Sequence, residues 1–356
     1  MSKIKELNTS IKILIIIGVV LVGLGISWIY LTGPVKIGNK ENIEVEIKSG
    51  TGRSQIGNIL KEKKVIRSSL AFKVYTVIVP TEGLKAGTYL FNQNMSLAEV
   101  VKSLEKGSNY NPNLLVLTLK EGKRITDYAK LIADKTNSNY DDVINVFKDR
   151  DYATELINKY WFLTDEILDP NIYYPLEGYL FPDTYHFDDK DVDTKEIIEK
   201  SLDEMDKKLS EYKNDISKDV HYYMTMASVV ELEGTNTTNR KMIVGIFKNI
   251  MSSGMNMGSD VTTYYGLQKE MTSDLASDEF LKDNPYNTRS VNMIGKMPIG
   301  PICSSGLSSI EASLYPTDSD YLFFVADKHG NIFYTKTNKE HDQKVAEIKQ
   351  KGDWIW

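Results

Sequence analysis

A single cysteine, Cys303, in 356 residues rules out an internal disulfide framework. The four histidines, His186, His221, His329 and His341, are too scattered for zinc-type Cys/His spacing, so neither a metal nor another cofactor is implied. Nor is there an excess of positive charge: a net charge of -6 gives no basic balance of the kind nucleic acid binding calls for. There is no G-x-S-x-G, which removes support for a serine hydrolase. Cys303 lies in Gly300-Pro301-Ile302-Cys303-Ser304 with no cue pairing it to a histidine, and reads as a buried thiol rather than a nucleophile. What remains for chemistry is carboxylates.

Charge is missing altogether from residues 13–32, ILIIIGVVLVGLGISWIYLT. At about 1.5 Å per residue this run spans the roughly 30 Å hydrocarbon core of a bilayer. A cleaved signal peptide would have a shorter apolar region and a small-x-small site near Thr32, and neither is present. Lys3, Lys5 and Lys12 precede the run, which predicts a cytoplasmic tail over 1–12 and an extracytoplasmic remainder. Outside the cytoplasm there is no ATP, which disfavours a kinase or ATPase. Residues 33–42, GPVKIGNKEN, read as a polar linker.

An internal repeat follows. Val45-Glu46-Ile47-Lys48-Ser49-Gly50 alternates as a strand and precedes a helical pattern from Ser54 to Leu60. The same order returns 72 positions later, with Leu117 to Gly122 and then Thr126 to Ile132. Ser54 and Thr126 stand where N-caps are expected, and Gly50 and Gly122 where the chain turns. Between them Lys85 to Phe91 reads as a strand, and Ser96-Leu97-Ala98-Glu99 as a capping box. These features predict small α+β modules across 43–135, suited to binding or spacing. A larger, mixed helical and β domain over 136–356 gives an α+β chain as a whole.

Within the larger domain, an amphipathic helix is expected over 191–217, and Pro175 to Tyr185 interrupts the helical pattern with two prolines, a glycine and three aromatics. That segment is either an aromatic surface loop that stacks on sugar or a hydrophobic plug in the core. Residues 221–233, HYYMTMASVVELE, form a helix stopped by Gly234, and a second helix runs from Asn239 to about Met251. Asp260–Tyr265 and Pro285–Pro301 read as loops, and Ser308-x-x-Glu311 as a cap. A hairpin joins Tyr321–Ala326 to Ile332–Lys336, and Thr337-x-x-Glu340 opens the last helix. On the 221–233 helix Glu233 shares a face with Met226, Val229 and Val230. A carboxyl on an apolar face is desolvated and suited to general acid chemistry. Glu231 lies on another face, and both glutamates could equally do no more than solvate a helix end.

Ala227-Ser228-Val229-Val230-Glu231-Leu232-Glu233 resembles the ASxVExE segment of the MltG/YceG-like endolytic murein transglycosylases. Met255 to Thr262 resembles the family's GM-x-L-x-x-DPT, Pro285-Tyr286-Asn287-Thr288 its PYNT, and Pro298 to Ile302 its PPGPI. Tyr321 to Ala326 resembles YLYFVA, and Leu176 to Tyr185 resembles LEGxxxPDTY. The chain departs from the pattern at Val261 and Ile299, each in place of a proline, at Arg289 after PYNT, and at Gly330-Asn331-Ile332-Phe333, which lacks the histidine of GGHxF.

The resemblance implies LysM-like modules before a catalytic domain. It also implies cleavage of the β-1,4 bond between N-acetylmuramic acid and N-acetylglucosamine, leaving 1,6-anhydro ends and terminating glycan elongation. It places the acid/base at Glu233, which a small residue follows at the helix end, with Glu231 as the alternative, and proposes Asp260, Tyr286, Asn287, Thr288 and Glu177 as substrate contacts. Expected partners are peptidoglycan strands and the membrane, with peptidoglycan synthases and divisome or elongasome proteins, and no nucleic acid. Two other readings stay open: a muramidase-type hydrolase pairing Glu233 with Asp260, and a non-catalytic scaffold that binds cell wall and recruits synthases.

Overall fold

The computed structural model describes residues 9–81 and 83–354; Lys3 and Lys5 of the expected cytoplasmic tail lie outside them. Two compact units divide the chain between Asn113 and Leu114.

The first unit opens with helix α1 (Thr9–Thr32), long and apolar enough from Ile11 to Thr32 to cross a membrane. Its side chains from Ile13 to Ile29 are largely exposed, as lipid-facing residues are. Strand β1 (Ile43–Ile47), helices α2 (Arg53–Glu62) and α3 (Ser69–Ile78), and strand β2 (Gly87–Phe91) follow, with α4 (Leu97–Lys106) closing the unit. β1 and β2 are antiparallel, from Ile43 opposite Phe91 to Ile47 opposite Gly87. Alternation sends Val45, Ile47, Tyr89 and Phe91 inward against Phe72, Val100 and Leu104. The expected polar linker is held to this unit. Arg67 donates to the carbonyls of Pro34 and Val35, and the amides of Lys36 and Gly38 bond to Gln93 and Asn94.

The second unit begins with strand β3 (Leu115–Thr118) and helices α5 (Ile125–Lys135), α6 (Tyr140–Lys148) and α7 (Arg150–Lys159). Strand β4 (Thr184–Phe187) pairs antiparallel with β3, Leu115 opposite Phe187 and Thr118 opposite Thr184. The second copy of the repeat thus belongs to this unit, where Leu117, Ile125 and Tyr128 share a core with Phe162, Tyr179 and Leu202. The cap positions of the repeat differ from the sequence expectation by two residues. Gly52 and Arg124, not Ser54 and Thr126, occupy them, and Gln55 and Asp127 fold back onto their amides at 3.3 and 3.1 Å. The offset of 72 is preserved, and Gly50 and Gly122 do adopt the left-handed turn, at φ 81° and 70°.

Helix α8 (Thr194–Leu209) is the expected amphipathic segment, and a short α9 (Lys213–Ile216) leads to α10 (Val220–Glu233) and α11 (Thr237–Ser252). Asp260–Gly266 forms α12 where a loop was expected. Helix α13 (Leu307–Leu314) is capped by Gly306 rather than Ser308. Ser308 instead accepts from Arg240, and Glu311 accepts from Tyr212. Strands β5 (Phe323–Ala326) and β6 (Ile332–Thr335) make the hairpin, and α14 (Asn338–Gln350) starts at the Thr337–Glu340 capping box.

The aromatic segment 175–185 is a core plug. Leu176, Tyr179, Leu180 and Tyr185 are buried, and the Tyr179 hydroxyl meets His221 Nδ1 at 2.8 Å. His221 Nε2 lies 2.7 Å from the Ile299 carbonyl, which only accepts, so Nε2 carries the proton and Tyr179 donates to Nδ1. Gly178 stands at φ 82° against Pro301, where an added Cβ would lie 2.2 Å from the proline Cβ. Two of the sequence motifs therefore lock together behind α10.

Candidate active site at the end of helix α10

Helix α10 is buried on every side from Met224 to Val230: Met224, Ala227, Ser228, Val229 and Val230 are all fully enclosed. A buried side chain of that kind contributes about 1.5–3 kcal/mol, so the helix is fixed against α11, α12 and α13. The apolar face expected to single out Glu233 is thus no face at all, and periodicity does not separate Glu233 from Glu231. Their partners do.

Glu231 is consumed by structure. Its Oε1 accepts from Arg240 Nη2 at 2.8 Å, and its Oε2 from the Gly306 amide at 3.0 Å and Ser309 Oγ at 2.7 Å. The ion pair is nearly enclosed, with side chains 5% and 12% exposed. Burial raises the Glu231 pKa, while Ser309, Arg240 and Gly306 pull it back. This carboxylate fastens α10 to α11 and to the start of α13.

Glu233 has a different setting. Ser259 Oγ donates to its Oε1 at 2.6 Å, and Oε2 has no hydrogen-bond partner among the described residues. Burial pushes its pKa above the ordinary glutamate value; the Ser259 hydrogen bond opposes this, Asp260 adds to it and Arg289 opposes it. A carboxyl with one oxygen held, the other open and its ionisation disfavoured by burial has the properties of a general acid.

The remaining expected substrate contacts divide. Asp260, at the start of α12, is ion-paired to Arg289, and both are partly exposed beside Glu233. Tyr286, Asn287 and Thr288, expected as substrate contacts, are buried. Thr288 Oγ1 accepts from the Ser259 amide at 3.0 Å and meets Thr262 Oγ1 at 2.8 Å. Asn287 accepts from Thr263 Oγ1 at 2.7 Å and donates to the carbonyls of Phe280 and Lys282. The Tyr286 ring packs between Tyr173 and Tyr265, at 5.1 and 4.7 Å. Thr288 thus holds the amide of Ser259, the residue whose hydroxyl donates to Glu233. Glu177 is also 1% exposed, bonded by the Ile125 amide and the Tyr265 hydroxyl at 3.0 Å each.

Sequence reasoning missed Ser259, Arg240 and Arg289. Ser259 stands immediately before the DVT segment, but nothing in its neighbours announces a bond to a residue 26 positions earlier.

The sequence profile of the YceG-like family matches residues 45–347. An endolytic murein transglycosylase of Bacillus subtilis strain 168 is 34% identical over 328 residues, covering 91% of this chain and 89% of the relative. One from Streptococcus pneumoniae D39 is 32% identical over 333 residues, 88% of this chain and 60% of that protein. The crystal structure of a yceG-like protein from Listeria monocytogenes superposes with a TM-score of 0.61 at 35% identity, over 86% of this chain and 99% of that one. Covering most of the chain, these similarities place it in the YceG-like family.

Proposed function

We propose that the chain is an endolytic lytic transglycosylase of peptidoglycan, with Glu233 as its general acid and base. The observation that carries the assignment of Glu233 is the contrast in partners: Arg240, Gly306 and Ser309 occupy Glu231, whereas Glu233 keeps one oxygen open. In the forward step Glu233 gives its proton to the bridging oxygen as the bond to muramoyl C1 breaks. The resulting carboxylate then takes the proton of the muramoyl C6 hydroxyl, whose oxygen bonds to C1. Proton and charge balance within the pair, no water is consumed, and the product ends in 1,6-anhydro-muramic acid. A single carboxyl suffices because the second nucleophile belongs to the substrate, unlike the carboxylate pair of most glycosidases. Mass spectrometry of the glycan products tests this: anhydro ends are expected, and reducing muramic acid ends would establish a hydrolase instead.

The β1–α2–α3–β2 order, two helices between antiparallel strands, supports a LysM-like, glycan-binding role for the first unit. Substitutions on this unit should weaken sedimentation with insoluble cell wall; unaltered sedimentation would leave it a spacer. Helix α1 supports a single-pass anchor, with the bulk of the chain outside the cytoplasm as Lys12 before the apolar run suggests. Protease added to intact, wall-stripped cells should digest residues beyond 40, and their protection would reverse the orientation. In that position the enzyme would act on nascent strands beside the synthases and elongation or division proteins that make them, releasing each strand by cutting it.

A further inference from the structure

We propose that the Asp260–Arg289 ion pair is a positioning device that keeps Glu233 in its proton-donating form, Asp260 cancelling a guanidinium that would otherwise draw the proton away. This rests on the reading of Glu233 as the acid.

Both members of the pair are placed by the scaffold that places Glu233. Asp260 follows Ser259, the residue that donates to Glu233, and Arg289 follows Thr288, the residue that receives the Ser259 amide. The ion pair therefore ties together the two segments that meet at the catalytic carboxyl. Arg289 is also seated over the Phe280 ring, its guanidinium carbon 5.7 Å from the centroid, which limits where the cation goes.

The charges facing Glu233 are few. From α12 the Asp260 carboxylate disfavours ionisation of Glu233, and from the 285–290 segment Arg289 favours it. On α11, Arg240 is already committed to Glu231, and on the turn after β3, Glu121 acts on Glu231. The balance at Glu233 is thus set by one acid and one base that neutralise each other. Their side chains are 48% and 38% exposed, so water and salt weaken but do not abolish the effect.

A general acid must be protonated before it acts, so the rate falls as pH rises through its pKa. The test is the pH profile of kcat/KM on soluble glycan, using the full chain in lipid nanodiscs. Asp260→Asn leaves the guanidinium uncancelled and should move the alkaline limb to lower pH. Arg289→Gln should move it to higher pH, the double variant should return it toward the wild-type position, and Arg289→Lys, which keeps the charge, should leave it in place. Rates that fall in both single variants with the limb unmoved would make the pair merely structural and overturn the proposal, as would shifts of the opposite sign. Glu233→Gln, run alongside, separates the two levels. If it is inactive while the limbs stay fixed, the positioning role fails and the acid stands; if it remains active, the acid assignment itself fails.

Discussion

Glu233→Gln should lower the yield of anhydro ends by at least ~10²-fold, the smaller end of what a positioned general acid supplies. Glutamine keeps the shape of the side chain and still accepts from Ser259 Oγ, 2.6 Å away in the wild-type protein, but it has no proton to transfer. Folding and glycan binding should therefore survive, and the variant should melt at close to the wild-type temperature. Glu231→Gln should behave in the opposite way. It removes the charge facing Arg240 in a nearly enclosed pair and loosens the contacts to Gly306 and Ser309. Breaking a buried pair by removing one partner costs about 3–5 kcal/mol, so Glu231→Gln should melt markedly earlier. Its folded fraction should retain turnover. Side-by-side melting and product assays decide between the two glutamates. An inactive but fully stable Glu231→Gln, together with an active Glu233→Gln, would move the acid two residues back.

How far these roles were legible in the sequence depends on how local their causes are. The capping boxes at Ser96–Glu99 and Thr337–Glu340, the Gly234 stop and the turns at Gly50 and Gly122 come from residues within one helical turn of each other, and they read correctly. The shift of the caps to Gly52 and Arg124 shows the limit of such reading. Gln55 and Asp127 reach back to backbone amides that any residue supplies, so the cap residue itself carries no signature. The aromatic segment 175–185 was ambiguous because a sugar platform and a core plug use the same residue types, and only the packing of Gly178 on Pro301 decides. At the site, the ASxVExE resemblance narrowed the acid to two glutamates. The choice between them needs Arg240, Ser259 and Ser309, and Ser309 lies 78 positions from Glu231. Helical periodicity could not have made that choice, since Ala227 and Ser228 are as enclosed as Val229 and Val230.

The contribution of Glu177 to folding stability should decline as pH rises from about 4.5 to about 8, and Glu177→Gln should remove that decline. Glu177 is almost fully enclosed, and burial pushes its pKa up to about 8 even though the Tyr265 hydroxyl, the Ile125 amide and the Arg124 charge favour the anion. In the unfolded chain the same carboxyl titrates near 4.5. Between those values the folded state holds a proton that the unfolded state has released. The stabilising contribution is accordingly complete below the unfolded value and is lost progressively until pH passes the folded one. Each pH unit within the window removes about 1.4 kcal/mol from the difference, so across it the effect is on the order of several kcal/mol. Glutamine stays neutral throughout; its one carbonyl oxygen can accept from the Ile125 amide while its NH2 donates to the Tyr265 hydroxyl oxygen, at the two positions where the bonds to Glu177 are 3.0 Å in the wild-type protein. The difference between wild-type and Glu177→Gln denaturant midpoints, measured at pH 5, 6, 7 and 8, isolates this group from every other titration. That difference should move steadily in favour of the variant as pH rises. Parallel curves would mean that Tyr265, Ile125 and Arg124 hold Glu177 ionised despite its burial. Catalysis by the variant at pH 5, where the wild-type carboxyl is also protonated, should be unchanged, because Glu177 is buried. A selective loss of glycan binding there would return Glu177 to the substrate contacts.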